Sequence, residues 1–413
     1  MLLISVFGII LYSYDIVTDI QIALSYKERN DKKLFIYTIL VLVCPACFIM
    51  IMDIGWLIID YKRARKTETR TVKTNRATES DDATRNEDWS ENQTSEETNI
   101  IWPENPDKYN LVLRIVVTVM TVGAGGSVCR TIQYTYYFVK SELACTIDRH
   151  DEFKKRARRM EIDCLMMNFM EAFLESAPQF ALQLYITYAF DRNFTTLRVL
   201  NLVTSALSIT WSYSAYYRCN GANVNNKEDV KLIPFLIYIL SVVSCIVPRF
   251  ISFVLFAVYF ETAGKITVLG VFGIHVFVGF LVIAAKVKPK LNGTVEYLVF
   301  RWLFYAFFAY VTFFLFLNLE HHRISETSND EEANNIRNWF EEKKTKRMMI
   351  LLYAFIHLEN LILASLLVSC RLDLMADGFF VLIVVLIGAV VQLICVSSYY
   401  YFFHKTRTSQ NAG

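Results

Sequence analysis

A chain of 413 residues that is 54% hydrophobic and 15% aromatic, with a mean hydropathy of +0.33, is too apolar for a water-soluble domain. Its apolar runs are also too long for ordinary core helices. The formal net charge is only +2, and the charges are gathered between the apolar runs, as in a polytopic membrane protein of one domain. Nine cysteines lie mostly inside apolar stretches, so no disulfide framework is implied. Cys44-Pro45-Ala46-Cys47 has C-x-x-C spacing but sits in a membrane segment, where thiol exchange lacks access.

Ten apolar segments are read in chain order: 2–25, 34–60, 110–139, 163–190, 195–217, 231–260, 264–286, 295–319, 347–370 and 378–403. Their length without alternation predicts helices rather than a barrel. The first segment holds Asp15 and Asp19 and suits no cleavable signal peptide. Between the second and third lies 61–109, basic at its head (Lys62, Arg63, Arg65, Lys66), then acidic and rich in Ser, Thr and Asn. That composition buries no core and reads as a disordered cytosolic loop. The following loop, 140–162, carries Lys154, Lys155, Arg156, Arg158 and Arg159 and is also expected in the cytosol.

Both loops lie inside only if segment 110–139 enters and returns. Gly123, Gly125 and Gly126 at its middle allow a reversal; the alternative is a full span whose small residues serve helix packing. The same conflict arises at 295–319, between Lys286, Lys288 and Lys290 and the EEKKTKR run at 341–347. The expected fold is an all-α polytopic membrane protein of about eight transmembrane helices plus two re-entrant segments, in two five-segment halves. The membrane bundle comprises 1–60 and 110–403, and 404–413 is a short cytosolic tail.

The most unusual stretch is NFMEAFLESAPQFALQLY, Asn168 to Tyr185. Glu171, Glu175, Gln179 and Gln183 recur every four residues, which lines four polar groups along one helix face. Pro178 removes a backbone donor and is expected to kink the helix, as is Pro248 in the sixth segment. Asp15 and Asp19 repeat the four-residue spacing. Arg218 ends the fifth segment, Arg249 follows Pro248, Glu320 ends the eighth and Glu359 lies inside the ninth. Intramembrane charges are costly and are read as functional by default, at about 2.5–3.5 kcal/mol each even on insertion scales. These acids and arginines form either a charged path for a lipid headgroup or static ion pairs that set helix packing.

EAFLESAPQFALQLY resembles the hallmark of the XK-related family. YDIVTD at Tyr14–Asp19, AYYR at Ala215–Arg218, VPRF at Val247–Phe250 and FLNLEHHR at Phe316–Arg323 support the resemblance, which runs nearly end to end. It implies a multi-pass plasma-membrane protein of a family in which several members scramble phospholipids and expose phosphatidylserine on dying cells. It also implies that Asp15, Asp19, Glu171, Glu175, Arg218, Arg249, Glu320 and Glu359 line the lipid pathway. The expected ligands are membrane phospholipids including phosphatidylserine. A single-span chaperone subunit or a cytosolic partner is the protein partner it admits. A non-scrambling adaptor and a carboxylate-based ion-coupled transporter are the alternatives.

H-E-x-x-H, G-x-S-x-G and phosphate-loop signatures are lacking, so no enzyme is expected. No cofactor, metal or nucleic-acid partner is expected either; the basic run at 154–159 has no interleaved aromatics and fits anionic lipid better. Adjacent His321 and His322 cannot share one helix face. The sequons at Asn92, Asn193 and Asn292 are expected to be unused. Relatives are switched on by caspase cleavage of a terminal tail, and both tails here are short. The acid-ended sites at Asp81, Asp82, Asp151 and Asp330 read as loop-solvating residues. The expectation is an ungated protein, or one controlled by a partner or by phosphorylation at Ser80 or Thr84.

Overall fold

A computed structural model describes residues 2–82, 115–116, 119, 124–143, 147–191, 195–224, 232–286, 295–315, 331–370 and 375–398. Among these the chain forms helices and no strand. In order they are α1 (Leu2–Glu28), α2 (Lys32–Asp82), α3 (Ala124–Glu142), α4 (Ile147–Glu171), a π-helical turn (Ala172–Ser176), α5 (Ala177–Ile186) and a second π turn (Thr187–Asp191). Then come α6 (Thr196–Val224), α7 (Leu232–Tyr259), α8 (Glu261–Lys286), α9 (Val295–Thr312), α10 (Glu331–Cys370) and α11 (Met375–Ser398).

Five of these are long and apolar enough to cross a membrane, over Lys32–Ile58, Leu232–Tyr259, Glu261–Ala284, Ile350–Ser369 and Asp377–Ser398. α5, at 10 residues, is too short to be one of them, and in α6 the polar residues Asn201, Thr204, Ser205 and Ser208 interrupt the apolar run.

The chain forms two compact units, Ala46–Cys129 and the remainder. The smaller buries Ile49, Met52, Asp53 and Leu57. Its helix α2 runs on to Asp82, into the stretch whose composition reads as disordered. The 61–82 segment contains no Gly or Pro, so nothing local stops a helix already propagating from the membrane.

In the larger unit α7 is the enclosed helix and α8 the outward-facing one. α11 and α10 pack on α7, α9 packs along α8, and α1 lies along α6. Two glycines set the approach distances. A Cβ on Gly388 would stand 2.5 Å from Pro248 Cγ and 2.7 Å from the Ser244 carbonyl oxygen, so α11 closes on α7 only because the side chain is missing. A Cβ on Gly279 would lie 2.5 Å from Thr312 Oγ1. The turn between α1 and α2 passes through Asn30 with φ of 61°, a left-handed conformation that asparagine tolerates well.

Two expectations take a different shape. α4 begins at Ile147, so most of the loop placed at 140–162 is one basic helix continuous with the polar membrane stretch. α10 begins at Glu331, so much of 320–346 is helical as well. Charged Lys, Arg and Glu residues are good helix formers, and packing of the apolar half extends the helix into them. Gly125 and Gly126 lie in the first turn of α3; most of 110–123, where a reversal would begin, lies outside the described residues, as do the three sequons and His321-His322.

Candidate functional site

The site grows from the π turn. The Ala177 amide donates to the Ala172 carbonyl, five residues back, which is the bond that widens the helix. Phe173 is then left without a helical donor, because the residue five positions on is Pro178, which has no N–H. The Tyr310 hydroxyl of α9 donates to the Phe173 carbonyl oxygen at 2.8 Å and fills the gap. Pro178 itself sits in the first turn of α5, where a proline is well tolerated. An aromatic spine fixes this geometry. Phe173 meets Phe314 at 5.9 Å, Phe314 stacks on Phe250 at 4.8 Å, and Phe250 meets Phe180 at 4.9 Å between ring centroids.

One turn of this distorted helix points Glu175 toward α1. Glu175 stands within charge range of Glu171, Asp19 and Asp15, so four carboxylates share one locality, with Tyr12 beside them. All four are nearly closed off, at 2% (Asp15), 0% (Asp19), 1% (Glu171) and 3% (Glu175) exposure. α6 supplies their neutral neighbours. Ser205 Oγ donates to Asp15 Oδ1 at 2.8 Å and Thr204 Oγ1 to the same oxygen at 3.2 Å. Asn201 Nδ2 donates to Asp19 Oδ1 at 2.5 Å and to Thr18 Oγ1 at 3.3 Å. Ser176 lies beside Asp15 and Gln179 beside Asp19, and Ser176 Oγ donates to Ser208 Oγ at 3.4 Å. Further along the same stripe the Tyr26 hydroxyl donates to Gln183 Oε1 at 2.8 Å.

Among the described residues Asp19 Oδ2 and Gln183 Nε2 have no hydrogen-bond partner although fully buried. Buried carboxylates this close together are stable only with protons, water or a polar guest. The seam therefore suits a polar group passing through. Among the described residues no three His, Cys, Asp or Glu side chains converge as a metal ion requires.

Arg249 and Glu359 form a separate centre. Arg249 Nη1 donates to Glu359 Oε2 at 3.1 Å and to Asn360 Oδ1 at 3.5 Å. His275 Nε2 lies 2.9 Å from Glu359 Oε1. The guanidinium is fully buried between the rings of Phe313, at 4.1 Å, and Phe253, at 4.7 Å. His357 bonds Gln392 nearby. Pro248, one residue before Arg249, leaves the Ser244 carbonyl without its helical donor, and that carbonyl faces Gly388.

Thus the structure gathers Asp15, Asp19, Glu171 and Glu175, and pairs Arg249 with Glu359. Arg218 lies on α6 ten residues beyond Ser208, its guanidinium 5.2 Å from the Phe235 ring of α7. Glu320 lies outside the described residues. Sequence reasoning missed Asn201, Thr204, Ser205 and Ser208, whose spacing along one face of α6 was the available signal. It also missed His275, a lone histidine that carries no spacing signal.

A family model described as XK-related protein matches residues 3–405. XK-related protein 8 of Tetraodon nigroviridis is 24% identical over 260 residues, a match covering 62% of this chain and 57% of that relative's length.

Proposed function

The chain belongs to the XK-related family, and from that premise we propose that it is an energy-independent phospholipid scramblase of the plasma membrane that exposes phosphatidylserine. The observation that carries the reading is the buried seam of Asp15, Asp19, Glu171 and Glu175 lined by the hydroxyls and amides of α6. A lipid headgroup crossing a bilayer needs polar partners that replace water while its tails remain in hydrocarbon. Carboxylates meet the ammonium of a headgroup, and Ser, Thr and Asn meet its phosphate and ester oxygens. The Arg249–Glu359–His275 centre adds a second polar step on the α7 side.

The seam's excess of acids also favours a second reading, a cation- or proton-coupled transporter. One preparation separates the two. The purified protein is placed in vesicles with a fluorescent headgroup-labelled lipid and a membrane-impermeant quencher. Scrambling brings loss of about all the signal without ATP; a transporter leaves about half, as empty vesicles do, and instead moves an ion dye.

The membrane arrangement we propose keeps eight crossings and two re-entrant segments, 110–139 and 295–319. The short α9 supports the second: its 18 residues reach about 27 Å, less than a comfortable crossing.

A further inference from the structure

Three apolar spans end at one corner of the larger unit. The span of α7 closes at Tyr259, that of α8 opens at Glu261 and that of α11 opens at Asp377. The π turn Thr187–Asp191 packs against α7 and brings the end of α5 to the same corner. Tyr259 Oη donates to Asp377 Oδ2 at 2.5 Å, which holds the carboxylate in place. Tyr188 is half-buried and within charge range of Asp377. The exposed Lys265, one turn into α8, has its Nζ 5.6 Å from the centroid of the half-buried Tyr185 ring. Tyr185 in turn meets the exposed Phe190 at 6.2 Å. Glu261, exposed and at φ of 48°, is the other acid of the turn.

Span boundaries place these groups at the depth of lipid headgroups, where tyrosine and lysine are common anchors. Anchors, however, need no acid. Here a carboxylate fixed by one tyrosine and faced by another stands with a lysine held over a third, drawn from four chain segments. A fixed anion beside aromatic rings suits an alkylammonium, and an exposed lysine suits a phosphodiester.

We propose that this corner is a recognition site for zwitterionic phospholipid headgroups, with Lys265 taking the phosphate and Asp377, Tyr185 and Tyr188 taking the choline or ethanolamine ammonium. The site deepens the lipid-transport reading and rests on it for the ligand being a lipid.

The test uses full-length protein in detergent, offered phosphatidylcholine or phosphatidylglycerol with matched acyl chains. Retained lipid is read by native mass spectrometry. Both lipids carry the phosphodiester, but only phosphatidylcholine carries the ammonium. The unaltered protein should retain phosphatidylcholine about fivefold better, the scale of one ammonium–aromatic and carboxylate contact. Asp377→Asn should abolish the preference, and Lys265→Gln should lower retention of both lipids. Where Asp377→Asn does not fold, Tyr188→Leu gives the same readout, a narrowed preference. Equal retention of both lipids by the unaltered protein means an interfacial anchor belt only and overturns the site. So does a preference that survives Asp377→Asn in protein eluting normally on gel filtration. Lipid flip in vesicles is scored separately: flip without selective retention sinks this site alone, and selective retention without flip sinks the scramblase reading alone.

Discussion

The Tyr310 hydroxyl on α9 donates to the Phe173 carbonyl on the π turn at 2.8 Å, 137 residues apart in the chain. This bond supplies the donor that Pro178 cannot, at the turn that aims Glu175. Tyr310→Phe should therefore cost about 1–3 kcal/mol, the penalty for a buried acceptor left unmade. Thermal unfolding in detergent measures it. Pro178→Ala restores a backbone N–H nearby, so the double variant should lose less than Tyr310→Phe alone. Strictly additive losses would show that the proline and the hydroxyl act independently.

The carboxylate seam predicts a split between stability and activity. Glu171→Gln, Glu175→Gln and Asp15→Asn each remove a charge while keeping shape. Like-charge repulsion falls, so surface expression and melting temperature should hold or rise. Lipid flip should slow by about tenfold per variant, equivalent to about 1.4 kcal/mol on the barrier. Vesicle assays and phosphatidylserine staining of intact cells both read this. Normal flip in all three variants would assign the seam a purely structural role.

At the second centre the same kind of change should act on folding. Arg249→Ala strands Glu359 and Asn360 beside a buried aromatic pocket and should cost about 3–5 kcal/mol. Arg249→Met combined with Glu359→Leu removes both charges and should recover most of that loss. Failure of the double variant to regain stability would mean that His275 and Asn360 need the pair for more than neutrality.

Helix approach at Gly388 gives a packing test. Gly388→Ala puts a methyl 2.5 Å from Pro248 Cγ, and overpacking of this kind costs about 1–3 kcal/mol. Gly273, whose Cβ position is open, is the control. Gly273→Ala should be neutral or stabilising by up to about 1 kcal/mol through helix propensity. Equal effects at the two sites would refute close α7–α11 packing.

Topology is tested by labelling. Single cysteines placed in 61–109, 140–162 and 320–346 of a cysteine-depleted chain should resist an impermeant maleimide on intact cells and react after permeabilisation. Reaction at 140–162 on intact cells would make 110–139 a full crossing and remove one re-entrant segment.

The sequence by itself determined what is local. Long apolar runs declared the helices, because a backbone in hydrocarbon must bond to itself. The four-residue spacing of Asp15 with Asp19, and of Glu171 through Gln183, declared which residues share a face, because helical geometry is periodic. Pro178 declared a backbone defect. Which faces meet was decided only by tertiary structure. Asp15 finds Ser205 at a separation of 190 residues, and Arg249 finds Glu359 at 110; no spacing rule reaches that far, because such pairings depend on how whole helices pack. The division of the charges into two centres follows from the same cause. Arg249 is on α7, and packing turns it toward α10 and α8, where Glu359 and His275 stand. The π turn was hidden for a further reason: it needs both a proline that withholds its donor and a hydroxyl on another helix that replaces it, and only the folded chain brings Tyr310 to Phe173.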